Sequence, residues 1–324
     1  MDLSGVVAVA KGQHGLITTE QLQLAGFDAH AIRWARRSGK LLRFLPRVHL
    51  LAGAQVTWET RALGGLLVAG PESVLSHDSA ALLYRLRGFG PRRVGPIHLT
   101  VPSTLNPRLP SEEDADDSLL SGSFVVHRTK RSFTPWEREK FRVTRLGRTF
   151  LDLAATTDEE RLEIALDSAQ QGWRRLPEWL DSELASLDVR APGVSMLRSL
   201  LAVRTGPAAE SEHETLIRRR LRSRNIVPPV HQLVIYDARG NRILRADEAW
   251  PGHKVIVHGH SFQWHGDRKA FDADAAILSR LAAEGWLSFM VTSTSLKDDA
   301  WLDQLERALA LRAPQLDLFR ARDS

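Results

Sequence analysis

The chain has 324 residues, 43% hydrophobic and 26% charged, with a formal net charge of +5 and no cysteine. That length is more than one core usually serves and predicts two or three globular domains. Without Cys, disulfides, thiolate zinc sites and a cysteine nucleophile are excluded. The first fifteen residues, MDLSGVVAVAKGQHG, lack a basic segment ahead of a long apolar run, and no window approaches a membrane span. The expected compartment is the cytoplasm, with no membrane partner.

The first fifty residues hold seven basic side chains (Lys11, Arg33, Arg36, Arg37, Lys40, Arg43, Arg47) against three acidic ones (Asp2, Glu20, Asp28). Leu3 to Ala10 reads as a helix that Gly15 ends. Thr18 is placed to cap a second helix, which stops at Gly26. Asp28 caps a third, Ala29 to Ser38, which is expected to bury Ile32 and Trp34 and turn Arg33, Arg36 and Arg37 outward. Gly39 terminates it, and Leu41 to Leu51 forms a hairpin around Pro46. Three helices and a hairpin predict a winged helix-turn-helix over residues 1–53. In a major groove the N-terminal side chains of the third helix reach base edges first, which nominates Ala29, His30 and Arg33. Arg36, Arg37, Lys40 and Arg43 are better placed for phosphates, which position but do not specify. The expected partner is double-stranded DNA. The alternative is a solvated basic face on a protein-interaction module.

Residues 54–205 predict a mixed α/β connector. Trp58 to Val68 and Ser79 to Leu86 read as amphipathic helices, the second behind a capping cluster at Ser76-His77-Asp78. PIHLTV (Pro96 to Val101) and FVVH (Phe124 to His127) read as strands, joined by a mobile acidic loop from Pro102 to Gly122. Val143 to Ala155 and Glu159 to Gln171 continue as helices. His77, His98, His127 and Asp152 are read as caps, strand-end contacts and helix-surface charges.

RTGPAA (Arg204 to Ala209) is the linker candidate before a last domain, 206–324. A helix from Ser211 carries Arg218, Arg219, Arg220, Arg222 and Arg224. These form either a second DNA-gripping patch or a solvated face. Leu233 to Tyr236 and Arg242 to Ala246 form a hairpin turning at Gly240-Asn241, with Asp247 at its end. Trp250-Pro251-Gly252 turns the chain into the β-branched strand Lys254 to Val257. A polar cluster follows (His258, His260, His265, Asp267), then a helix with apolar residues at Phe271, Ile277, Leu278 and Leu281 that Gly285 closes. Strand, turn, strand, polar cluster and helix is a common frame for the metal-binding carboxylates of phosphodiester hydrolysis. Leu287 to Thr292 is a further strand, Leu296 to Leu311 a closing helix and Asp317 to Ser324 a loose tail. The whole predicts an α+β multidomain chain.

Two resemblances sharpen these readings. Gly15-Leu16-Ile17-Thr18, the Leu22 to Gly26 turn, Ala31-Ile32 and Ser38-Gly39-Lys40-Leu41 resemble the N-terminal domain of AbiEi-family antitoxins. LSHDSAALLYRL, HLTVP, VHR and RTFLDLA resemble the middle of the same proteins. Phe44-Leu45-Pro46-Arg47-Val48-His49 departs from the Gly-Val-Tyr ending common in that family.

The last third resembles the Vsr-like branch of the PD-(D/E)XK endonucleases. Ser211-Glu212-His213-Glu214 matches a Ser-x-x-Glu, Arg245-Ala246-Asp247 an Arg-x-Asp, and Trp264-His265-Gly266-Asp267-Arg268, Phe271, Asp274 and Gly285-Trp286 also fit. This implies a restriction-endonuclease-like α/β domain. The chain has His258-Gly259-His260-Ser261 where bacterial relatives end the second strand with Glu-Val-Asp-Gly, and imidazole suits a hard Mg²⁺ ion poorly.

The reading favoured on these grounds is a DNA-binding transcriptional regulator or type IV antitoxin-like protein, with a toxin or other protein as partner and a degenerate endonuclease-like domain. The alternative is an Mg²⁺-dependent endonuclease of the very-short-patch repair type. In it Glu214 and Asp247 would hold the metal, and His265 or His258 would act as general base. A zinc site from His258, His260 and His265 is a third, minor reading.

Overall fold

A computed structural model describes residues 3–90, 95–111, 122–185, 190–204, 206–259 and 268–312. Contacts divide the chain into two compact units, Met1–Ala165 with Glu178–Val203, and Leu166–Pro177 with Arg204–Ser324. The acidic run at 112–117, the polar segment 260–267 and the tail from Asp317 lie outside the described residues. Among the described residues no helix is long and apolar enough to cross a membrane.

The chain opens with α1 (Leu3–Gly12), β1 (Leu16–Thr18), α2 (Thr19–Leu24), α3 (Ala29–Arg37), β2 (Leu41–Leu45) and β3 (Val48–Leu51). Local chemistry sets these boundaries. Gly15 turns at φ +84° between α1 and β1, where a side chain would strike Ala54. Thr18 closes a capping box on α2: Gln21 N donates to its hydroxyl at 3.2 Å, and its own N donates to Gln21 Oε1 at 2.9 Å. The Asp28 carboxylate caps α3 by accepting from Ala31 N at 2.7 Å. The three strands form an antiparallel sheet in the order β1-β3-β2. Val6, Ala10, Ile17, Leu22, Phe27, Ala31, Ile32, Ala35 and Leu41 pack into one core beneath the helices. Three helices on a three-stranded sheet are compatible with a winged helix.

Trp34, expected inside, is 54% exposed. At 100° per residue, Ala31, Ile32 and Ala35 fill the inward stripe of α3 and leave position 34 on its flank. Lys40 Nζ lies 4.6 Å above the exposed indole.

The first unit continues with α4 (Trp58–Ala69), β4 (Val74–Leu75), α5 (His77–Leu83), β5 (Ile97–Pro102), β6 (Phe124–Thr129), β7 (Trp136–Arg138), β8 (Phe141–Val143) and α6 (Leu146–Thr156). Then come α7 (Glu159–Gly172), α8 (Leu176–Ala185) and α9 (Val194–Ala202). The second sheet runs β6-β5-β4-β8-β7, parallel between β5 and β6 and between β4 and β8. Leu45, Val48 and Leu50 of the hairpin share a core with Trp58 and Leu66 of α4 and Leu75, Ile97, Leu99 and Phe124 of this sheet. Val143, expected to open a helix, ends strand β8, and α6 begins at Leu146.

In the second unit α10 (Glu212–Ser223) precedes β9 (Val230–Tyr236), β10 (Arg242–Trp250), β11 (Val255–Gly259), α11 (Arg268–Ala283), β12 (Leu287–Val291) and α12 (Ala300–Leu311). The sheet order is β12-β11-β10-β9, antiparallel except for β11 with β12. Val255 and Val257 pack with Ile217, Trp301 and Leu302 on one face, while Ile256 packs with Leu281 on the other. A strand covered on both faces explains the continuous apolar run Val255-Ile256-Val257.

The cap on α3 is a single hydrogen bond, so its contribution can be measured. Asp28→Ala is expected to lower stability by about 1 kcal/mol, with Asp28→Asn retaining most of it. Urea unfolding with an unchanged midpoint for Asp28→Ala would show that the cap is idle.

Candidate functional site

Three constellations of polar side chains stand apart from the packing. The first is the outward side of α3. His30, Arg33 and Arg37 recur at a spacing that shares one stripe, opposite the buried Ala31 and Ile32. All six nominated residues, His30, Arg33, Arg36, Arg37, Lys40 and Arg43, are exposed. Arg33, Arg36, Arg37 and Arg43, with Leu41 and Leu42, line an open groove of about 400 Å³ between α3 and β2. Among the described residues these four arginines form no ion pair, whereas Arg47 is held by Glu20. Beneath them His49 is buried, its Nε2 3.1 Å from Thr19 Oγ1. Burial first, and then the positive charge of Arg36, lowers the His49 pKa against a smaller opposing pull from Glu20.

The second constellation joins α10 to the ends of β10 and β11. Glu214 is 7% exposed and held by three protein donors: Glu210 N at 2.9 Å and Gln232 Nε2 at 2.9 Å on Oε2, and Ser211 Oγ at 3.2 Å on Oε1. Burial raises its pKa, with Asp247 adding to the shift; the Glu210 amide, Arg218 and Ser211 pull it back. Asp247 Oδ2 accepts from Gly259 N at 2.8 Å and lies 3.1 Å from His258 Nδ1. A Cβ built on Gly259 would stand 3.5 Å from His213, 3.2 Å from Ile217 and 3.6 Å from Asp247 Oδ2. Glu214, Asp247 and His258 therefore do come together, while His265, His260 and Asp267 lie outside the described residues. Sequence reasoning missed Gln232 and His213. Among the described residues the His213 Nε2 is buried without a hydrogen-bond partner, and only the strand register brings Gln232 to Glu214.

The arginine run of α10 is not a free basic patch. Arg218 donates to the fully buried Glu248 at 2.6 Å and to Pro207 O. Glu248 also takes His231. Arg220 pairs with Asp299, and Arg224 with Asp303. Their partners arrive from β10 and from the start of α12, elements that the run itself does not announce.

The third constellation corrects the reading of His77, His98 and His127 as unconnected contacts. One ligand nitrogen from each lies within 4.8 Å of the others. His98 sits on β5 and His127 on β6, and Nδ1 of the first is 3.1 Å from Nε2 of the second. The ring of His77, at the start of α5, stacks on His127 with centroids 3.5 Å apart. Burial depresses the pKa of His77 to about 2, with His127, His98 and Arg148 adding to the shift, and that of His127 to about 4, with His98 and Arg148 adding and Asp78 opposing. Asp152, read as a surface charge, is buried and holds Arg148 at 2.6 Å. Its pKa is raised, by burial above all.

Residues 6–44 match the family model described as transcriptional regulator, AbiEi antitoxin. The match spans α1 to α3 and most of β2, the elements that carry the arginine groove. The N-terminal part of the chain is thus similar to that family, which is described as one of transcriptional regulators. No similar protein was found among curated sequences.

The depressed histidines give stability a sign with pH. Their folded pKa values lie below the unfolded value of 6.5, so between pH 6.5 and about 4 the unfolded chain binds more protons. Their contribution is fully present above pH 6.5 and falls as pH drops toward 4. Urea midpoints taken across this range should decline with acid, and His127→Gln should flatten the slope. An equal slope in the variant would contradict the burial of a neutral ring.

Proposed function

We propose that the protein is a DNA-binding transcriptional regulator of the antitoxin type. In this reading the winged helix of the first unit reads duplex DNA, and the second unit keeps an endonuclease-like arrangement without its chemistry. One observation carries the first half: four arginines around one groove on the outward side of α3, with no ion pair to any described residue. Unneutralised guanidinium groups beside a helix that fits a major groove supply both phosphate attraction and base-edge donors. His30 and Arg33 face the bases, while Arg36, Arg37, Lys40 and Arg43 take phosphates. The family match over residues 6–44 supports the same assignment. A toxin or other protein partner belongs to the same reading.

For the second unit, the donor set supports the degenerate reading. Mg²⁺ requires oxygen ligands in near-octahedral geometry. The Glu214 oxygens already accept from three protein donors, Asp247 Oδ2 accepts from Gly259 N, and His258 presents a nitrogen beside it. These residues fit Mg²⁺ poorly, and no catalytic step is assigned to them. The endonuclease reading retains one point in its favour. Glu214 is buried near a second carboxylate with its pKa raised, a placement that a bound cation would relieve.

Gel shifts and a cleavage assay separate the readings. Arg33→Ala should relax sequence preference and cost about 1–3 kcal/mol, whereas Arg36→Ala should weaken all sequences alike and reduce the salt slope by about 1. Unaltered affinity in the Arg33→Ala, Arg36→Ala, Arg43→Ala triple variant would remove the assignment of α3. With Mg²⁺, the unsubstituted protein should leave plasmid DNA intact. Cleavage that disappears in Asp247→Ala would instead establish the endonuclease.

A further inference from the structure

We propose that His77, His98 and His127 form a binding site for a divalent transition-metal ion, with zinc the foremost of those that imidazole suits. The site is separate from the DNA-reading surface, and nothing in the proposed function requires it. Three arguments carry it, beginning with convergence. Three histidines from α5, β5 and β6 bring one nitrogen each to within 4.8 Å of the others. In a tetrahedral complex with Zn–N bonds of about 2.0–2.1 Å, neighbouring nitrogens stand about 3.3 Å apart. His98 Nδ1 and His127 Nε2, at 3.1 Å, already have that spacing. The wider separations close by side-chain rotation of His77 off the ring on which it stacks.

A second argument is the arrangement around the first imidazole. Nδ1 of His77 lies 2.9 Å from Ser76 Oγ, which in turn accepts from Thr100 Oγ1 at 2.8 Å. A ligating histidine almost always holds a partner on its other nitrogen, which fixes the tautomer and the ring plane. Here the chain Thr100–Ser76–His77 leaves Nε2 of His77 for the metal. Ser76 makes no side-chain cap to α5, although it occupies the N-cap position. Its hydroxyl serves the histidine and Thr100 instead.

Strain and charge supply the third. His77 adopts φ +48°, a left-handed backbone that a side chain of this size seldom takes, and is only 5% exposed. The cationic neighbour of these rings is Arg148, and Asp152 answers it at 2.6 Å. Asp78, the anionic neighbour of His127, is itself paired to Arg161 at 3.0 Å. The preference for zinc, cobalt or nickel over Mg²⁺ follows from an all-nitrogen donor set.

Co²⁺ serves as the probe because its visible spectrum reports coordination number. Titration into the full-length protein should give the intense absorption of four-coordinate Co²⁺, saturating at one equivalent and displaced by Zn²⁺ but not by Mg²⁺. His98→Gln and His127→Gln, each checked for folding by circular dichroism, should weaken Zn²⁺ binding at least about tenfold, the lower end of what loss of even an outer-sphere partner costs. Affinity unchanged in both variants would overturn the proposal. A measurement without substitutions guards against variants that fail to fold. Crystals soaked in Co²⁺ and recorded at the cobalt edge should show anomalous density between the three rings. Density elsewhere, or none, would refute the site.

Discussion

Helix α4 lies so close to its neighbours that no side chain fits at two consecutive positions. A Cβ on Gly64 would stand 2.6 Å from the ring of Phe44, and one on Gly65 would stand 2.7 Å from the ring of Phe124. The pair lets one helix touch the β2-β3 hairpin on one side and β6 on the other, so the core runs unbroken between them. Two consequences follow within the first unit. The hairpin is fixed from inside, and α3 presents Arg33 and Arg37 outward from a rigid base. Strand β6 is fixed as well, which sets His127 beside His98. Glycine costs helix stability, and here the cost is offset by the two aromatic rings that close packing admits.

What could be read from the sequence was what neighbouring residues decide. The caps at Thr18 and Asp28 are hydrogen bonds between residues three apart, and both appear as expected. The turn that Gly240 makes and the apolar strand at Val255 follow from short-range patterns too. Longer-range features escaped. Strand β4 has two residues and β8 three, too short for any alternation to register. Trp34 was assigned to the core by hydrophobicity, although smaller residues on α3 already filled its inward stripe. The start of α5 at His77 depends on a positive φ that nothing in Ser76-His77-Asp78 signals.

The polar clusters show the same limit more sharply. His98 and His127 are 29 residues apart and meet because β5 and β6 are parallel, with Thr100 opposite His127. Neither residue carries a spacing motif, so the cluster was invisible until strands were paired. Glu214 and Asp247 were found through resemblance to a known site pattern, yet that pattern could not reveal that Ser211, Glu210 and Gln232 occupy the Glu214 oxygens. A carboxylate that completes a helix cap and a carboxylate that awaits a cation look alike in a sequence. They differ only in how many donors already surround them.

The same distinction governs the cations. A helix with several arginines, such as α10, and a helix with fewer, such as α3, would be ranked in that order for DNA binding by charge counting. Pairing reverses the order. Arg218, Arg220 and Arg224 each meet a carboxylate 30 or more residues away in the chain, and Glu248 is wholly buried against the first of them. Withdrawing Arg218 to meet a phosphate would strand the buried Glu248, whereas Arg220 and Arg224 sit in exposed pairs that already neutralise part of their charge. The arginines beside α3 hold no such contacts, so binding a phosphate displaces only water and mobile counterions. Affinity for a polyanion follows the charges that folding leaves unmatched, and among the described residues four such arginines line the groove between α3 and β2.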